Sequence, residues 1–204
     1  MAGPLMRLVA QDIACQRGDR AVFTGLSFSV DKGEALLVTG RNGAGKSSLL
    51  RIIAGLVQLA GGRLSLEGGS TELNIAEQAH YVGHQDPVKG ALSVAENLMF
   101  WNSYLGGEPD VRAALKAVAL DSLADLPAAY LSAGQRRRLS IARLTAVKRP
   151  LWLLDEPTTA LDAQAQSALA DLMSTHLHSG GLIVAASHGP IGISAAKQLR
   201  LGRE

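Results

Sequence analysis

The sequence predicts an α/β fold with a mostly parallel sheet, and three observations predict it. Short apolar runs alternate with segments of helical spacing, a glycine-rich loop links one such run to a helix, and a later apolar run ends in two acids. A chain of 204 residues supports one sizeable core, and residues 1–204 are expected to form a single domain.

Leu5 to Ile13, Val22 to Val30 and Ala35 to Thr39 read as strands, separated by the turn residues Arg17-Gly18-Asp19 and Asp31-Lys32-Gly33. Ser47 to Leu56 carries Leu49, Leu50, Ile52, Ile53 and Leu56 at helical spacing, and Gly61 to Gly69 returns to strand. Leu92 to Leu126 is helical and rich in Ala and Leu, broken at Gly106-Gly107-Glu108-Pro109 into two short helices that read as a helical subdomain. A longer helix follows from Ala133 to Val147, then a strand from Leu151 to Leu154, a helix from Ala163 to His178 and a strand from Leu182 to Ala186. The residues after Gly189 are expected to add no regulatory domain.

Lys and Arg number 20 against 18 Asp and Glu, and the resulting +2 is too small for the basic footprint of a nucleic-acid binder. No nucleic-acid partner is expected. One cysteine, Cys15, allows no internal disulfide and no cysteine metal cluster, which fits a cytosolic environment. The chain lacks a run of 18 apolar residues, and Met1 to Ala10 lacks an apolar signal-peptide core. If the task is transport, the pore has to come from another polypeptide.

Gly40-Arg41-Asn42-Gly43-Ala44-Gly45-Lys46-Ser47 fits G-x-x-x-x-G-K-[ST] and lies between an apolar strand and an amphipathic helix, the context that the motif requires. Its glycines let the backbone curl around the β- and γ-phosphates, and the N–H groups and helix N-terminus face negative charge. Lys46 adds a cation, the Ser47 hydroxyl is a Mg²⁺ ligand, and Ser48 extends the nucleotide-binding run. ATP and Mg²⁺ are the expected cofactors. Leu151-Trp152-Leu153-Leu154-Asp155-Glu156 places carboxylates at the C-terminal edge of a buried strand, where α/β sheets present ligand-facing groups. Asp155 is assigned to Mg²⁺ and Glu156 to polarising the attacking water as general base.

Between these motifs stands Leu131-Ser132-Ala133-Gly134-Gln135, followed by Arg136, Arg137 and Arg138. Ser132 is placed to cap the next helix, whose first N–H groups offer an anion site. The run resembles the LSGGQ signature of ABC ATPases, with Ala133 in place of the usual second glycine, and Asp155 follows Gln135 by 20 positions. The resemblance implies a P-loop NTPase fold of the ABC nucleotide-binding type, with an antiparallel β subdomain and a helical subdomain. Its catalytic core would span about 1–85 and 149–204, and its helical part about 86–148. It also implies a homodimer in which Leu131, Ser132, Ala133, Gly134 and Gln135 of one chain close on the γ-phosphate held by the other.

Three more residues fall in family order. Gln85, at a strand end, resembles the Q-loop glutamine that touches Mg²⁺ and the attacking water, beside the surface where transporter coupling helices dock. Asp162 in Thr159-Ala160-Leu161-Asp162 resembles the D-loop aspartate that crosses the dimer interface, and His188 in Ser187-His188 resembles the switch histidine that contacts the γ-phosphate and orients Glu156. The family's adenine-stacking aromatic falls on Arg17, whose guanidinium plane also stacks on a base.

Within the class, Tyr81-Val82-Gly83-His84-Gln85, Lys89, Leu92-Ser93, Glu96-Asn97-Leu98 and the LSAGQ run with Leu139 to Leu144 are similar to the ATP-binding export proteins of bacterial cytochrome c biogenesis. That resemblance implies two peripheral copies on two integral membrane subunits, at the cytoplasmic face of the bacterial inner membrane, with haem export as the family's label. Only 46 positions separate Gln85 from Leu131, too few for the coiled coils that DNA-repair relatives insert there. Ribosome-acting relatives usually carry two such domains, and a non-hydrolysing sensor conflicts with the presence of both Glu156 and His188. Arg136 to Arg138 are expected to form a solvated helix start. His176 and His178 are expected on the surface, His80 and His84 at a strand end or in the core, and Trp101 and Trp152 as packing residues.

Overall fold

A computed structural model describes residues 5–107 and 110–202. Glu108 and Pro109, half of the expected interhelical break, lie outside the described residues. The chain divides into two compact units, one of Met1–Gly83, Pro150–Pro157 and Met173–Glu204, the other of His84–Arg149 and Thr158–Leu172.

In the first unit, β1 (Arg7–Arg17) and β2 (Arg20–Asp31) form a hairpin closed by Gly18-Asp19, with Arg17 paired to Arg20. β1 buries Leu8 and Ala10, then Ile13 and Cys15, a change from even to odd positions. A bulge at Asp12, whose φ is 47°, absorbs the extra residue and keeps all four on the core face. After β3 (Ala35–Gly40) and α1 (Lys46–Ile53), β4 (Gly61–Glu67) pairs antiparallel with the other edge of β1, giving the sheet order β2-β1-β4.

The remaining elements are β5 (Ala79–Val82), α2 (Val94–Leu105), α3 (Val111–Ala117), α4 (Ala133–Ala146), β6 (Leu151–Asp155), α5 (Ala163–His178), β7 (Leu182–Ala186) and β8 (Lys197–Leu201). Five strands make a parallel sheet in the order β5-β6-β7-β3-β8. Every residue of β6 and β7 is buried, as continuous apolar strands must be when both faces of a sheet are covered. Because β7 lies between β6 and β3, the carboxyl ends of three neighbouring strands gather residues far apart in sequence. β8 was not expected. It is a short edge strand in which only Leu201 is fully buried, so its sequence carries little apolar signal.

His176 is not the simple surface residue that the sequence predicted. Its ring stacks on Trp152 at 3.9 Å and 9°, and its Nε2 lies 3.2 Å from the Pro150 carbonyl. Burial lowers its pKa, which favours the neutral ring that donates to that carbonyl.

In the second unit, α2 and α4 begin alike. Ser93 with Glu96, and Ser132 with Gln135, form complete capping boxes that satisfy the N–H groups of the N-cap residue and of the third helical residue. The three arginines at the start of α4 are not merely solvated. Helical spacing puts Arg137 on the stripe of Ile141 and Leu144, where it is 2% exposed and pairs with Asp86 at 3.1 Å. Arg138 donates to the Val118 and Ala119 carbonyls and Arg136 to that of Leu131.

Candidate functional site

β3 ends in the phosphate loop. Gly40 and Gly45 have φ of 143° and 101°, values that side chains avoid. A Cβ on Gly45 would stand 2.6 Å from Val22 Cγ1 and 3.1 Å from the Phe23 ring, so β2 packs directly on the loop and only glycine fits. Gly45 is also the N-cap of α1 and supplies no side-chain acceptor, leaving the first N–H groups of the helix to an outside anion.

Lys46 is 8% exposed, and its Nζ donates to the carbonyl of Gly40 at 2.9 Å and, more weakly, to that of Arg41. Its third partner is His188 Nε2, at 3.1 Å. An ammonium only donates, so Nε2 accepts and the ring proton belongs on Nδ1. Arg41, Asn42 and Gly43 are exposed, Ala44 and Ser47 half-buried, and Ser48 buried.

From the end of β6, Asp155 reaches the loop and accepts the Ser47 hydroxyl at 3.0 Å. Glu156 leaves the strand with φ of 48°, a left-handed conformation costing about 1–3 kcal/mol in a non-glycine residue. Its N–H donates to the Ala186 carbonyl at 2.8 Å, tying it to β7, while its Oε1 stands 3.7 Å from His188 Nε2. Thus Lys46, Ser47, Asp155, Glu156 and His188 converge.

Tyr81 and Arg51 stand behind this group, and sequence reading did not single out either as a site residue. Arg51 Nε donates to the Tyr81 hydroxyl at 3.4 Å. Burial raises the Tyr81 pKa. Arg51 offsets part of the rise, and the charge of Asp155 adds to it.

The second unit holds the other predicted residues. Gln85 is exposed in a bend, since β5 already ends at Val82 rather than running up to it. Leu131 is buried, Ser132 and Ala133 are exposed, and Ser132 Oγ accepts from Gln135 N while Gln135 Oε1 accepts from Ser132 N. A Cβ on Gly134 would meet the Ala160 carbonyl at 2.8 Å, so the signature and the 159–162 loop are packed backbone to backbone. Asp162 is exposed and caps α5, accepting from Ala165 N at 2.8 Å. In the first unit, Arg17 is exposed at the hairpin tip.

Sequence reading gave no structural role to Asp86, the partner of Arg137, or to Asn97, which it used only as part of a family resemblance. Asn97 is buried and bonds both backbone groups of Lys89 and the carbonyl of Ser93, which fixes the segment after Gln85. No local pattern announces either contact.

Carbonyl-braced lysine, hydroxyl, paired acids and histidine meeting at a switch point of a parallel sheet are how a P-loop triphosphatase holds and cleaves its nucleotide. The added antiparallel sheet and the capped LSAGQ helix narrow that class to ABC-type ATPases. The chain belongs to the ABC transporter family, which it matches over residues 23–159. It is 64% identical to the cytochrome c biogenesis ATP-binding export protein CcmA of Rhodopseudomonas palustris (strain BisB18), over 97% of this chain and 98% of that protein. It is 57% identical to the protein of the same name from Bradyrhizobium diazoefficiens, with the same coverage. Among solved structures, an ATP-binding subunit of an ABC transporter superposes with a TM-score of 0.84 at 23% identity, over 95% of this chain and 85% of that one. An ATP-bound bacterial Atm1-family exporter gives 0.83 at 24% identity, over 97% of this chain and 37% of that one. Both share the fold.

Proposed function

We propose that two copies of this chain clamp two ATP molecules between them and use their hydrolysis to drive an integral membrane partner in the maturation of c-type cytochromes. The observation that carries the ATPase reading is the convergence of Lys46, Ser47, Asp155, Glu156 and His188 at three adjoining strand ends. The names of the relatives carry the pathway.

The loop N–H groups and Lys46 bind the phosphates, with Lys46 exchanging its carbonyl partners for phosphate oxygens. Ser47 Oγ and Asp155 Oδ1, 3.0 Å apart, are hard oxygen donors and fit Mg²⁺, with Gln85 as a further ligand. When bound, Mg²⁺ neutralises charge developing on the phosphates. Glu156 takes the proton of the attacking water, and His188 holds the γ-phosphate and keeps Glu156 aimed. Arg17 stacks on adenine. Ser132 and the first N–H groups of α4 complete the site from the other chain, with Asp162 at the interface.

The membrane partner docks on α2. Met99, Phe100 and Tyr104 are 45%, 40% and 74% exposed on it. Trp101 and Arg143 line the adjoining groove, with the guanidinium 4.3 Å over the indole. Burial lowers the Arg143 pKa to about 10, still fully charged at neutral pH. Such a patch fits a docking surface for another protein, and in this reading the chain is a peripheral subunit at the cytoplasmic face of the inner membrane.

The reading is tested by purifying the tagged chain from bacterial membranes and identifying what accompanies it. An integral membrane subunit is expected with wild type. The Phe100→Asp/Tyr104→Asp pair, removing two aromatic anchors worth about 2 kcal/mol each, should release the chain to the soluble fraction. Recovery with ribosomes and no integral protein would contradict the reading.

A further inference from the structure

The chain leading into α4 alternates in burial. Tyr130 is 76% exposed, Leu131 is buried and Ser132 is exposed again. Leu131 and Ser132 are both extended, so the Tyr130 and Ser132 side chains take the solvent side while Leu131 takes the core side. Two extended residues span about 7 Å at most, which keeps the aromatic ring and the start of α4 within reach of one small molecule.

The backbone beneath the ring is fixed. Ala128 N and Ala129 N donate to the carbonyls of Leu92 and Gly90 at 2.9 and 3.0 Å, and Tyr130 N donates to that of Pro127 at 3.1 Å. The Leu131 carbonyl accepts from Arg136. A ring held out in water on so firm a base gives up only two side-chain torsions when a flat partner covers it. The capping box uses the N–H groups of Ser132 and Gln135 and leaves those of Ala133 and Gly134, to which the reading above gives a γ-phosphate. An aromatic plate and a phosphate site on one short ledge match the two ends of a nucleoside triphosphate.

We infer that Tyr130 stacks on the base across the pair of chains: its ring covers one face of the adenine whose other face lies on Arg17 of the chain holding the phosphates. The inference rests on the shared-nucleotide reading above, in which Ser132 of one chain meets the γ-phosphate held by the other. Every base has a π-face, so Tyr130 adds affinity for a base without choosing among bases. Its loss weakens binding at the base end and leaves every phosphate contact in place.

The test has two parts, both on protein purified from membranes. In the first, hydrolysis is followed against ATP concentration, with melting temperatures as a check on folding. Tyr130→Ala should raise KM for ATP by about 5-fold to 100-fold, the range for losing one stacked ring, with kcat and the melting temperature near wild type. Tyr130→Phe keeps the ring and should keep the wild-type KM. In the second, a doubly tagged pair of one Lys46→Ala chain and one Ser132→Asp chain is illuminated with 8-azido-ATP, whose reactive group sits on the base. The label should appear at Tyr130 of the Lys46→Ala chain, whose own phosphate loop is disabled. An unchanged KM for Tyr130→Ala, or a label confined to the chain with the intact loop, would remove Tyr130 from the base and leave the ATPase reading standing. If the mixed pair hydrolyses no more ATP than its separate parts, the shared site itself is wrong and this inference goes with it.

Discussion

Glu156→Gln should slow steady-state phosphate release by about 10²–10⁴-fold while leaving ATP binding close to wild type. The amide has the shape of the carboxylate and keeps the backbone bond from Glu156 N to Ala186, so the left-handed turn at this position is undisturbed. What it loses is the oxygen that takes the proton from water. His188 does not replace it, since in the proposed complex it is engaged with the γ-phosphate. Equal rates for the two proteins, measured as phosphate released at saturating ATP, would remove Glu156 from the role of base.

The second large effect is expected at Ser132. Its hydroxyl caps α4, and capping alone would explain why it is there. Ser132→Asp separates the two roles, because aspartate caps a helix as well as serine does but brings a negative charge to the place proposed for a γ-phosphate. Hydrolysis should fall by at least about 10²-fold, since setting like charges together costs several kcal/mol, while the melting temperature stays near wild type. A variant that hydrolyses ATP normally would leave Ser132 as a cap and nothing more.

Much of this was legible because the relevant signals are local. Gly40 to Ser47 sits between an apolar strand and a 3.6-period helix, and both neighbours form, as β3 and α1. The helix from Ala163 to His178 and the strand from Leu182 to Ala186 have the bounds expected from periodicity. Ser132 caps because Gln135 follows at the spacing that closes a capping box. What stayed hidden depends on contacts between distant residues. The burial of Arg137 needs Asp86, 51 positions away, and three adjacent arginines look solvated until helical phase turns one inward. His176 required Trp152 and the Pro150 carbonyl to become more than a surface ring. β8 is mostly polar, and it becomes a strand only because β3 offers it a free edge. The grouping of Tyr81, Arg51 and Asp155 joins a strand, a helix and a neighbouring strand, which no linear pattern spells out.

The central claim is that one nucleotide is shared by two chains, and a mixed pair tests it. Lys46→Ala and Ser132→Asp chains, each carrying a different tag, are produced together and purified through both tags in succession. Each variant alone should be nearly inactive. In the doubly tagged pair, the intact loop of the Ser132→Asp chain faces the intact signature of the Lys46→Ala chain, so one of the two sites is whole and about half of wild-type hydrolysis should return. Failure to recover a doubly tagged pair, or a recovered pair no more active than its separate parts, would contradict a site built from two protomers.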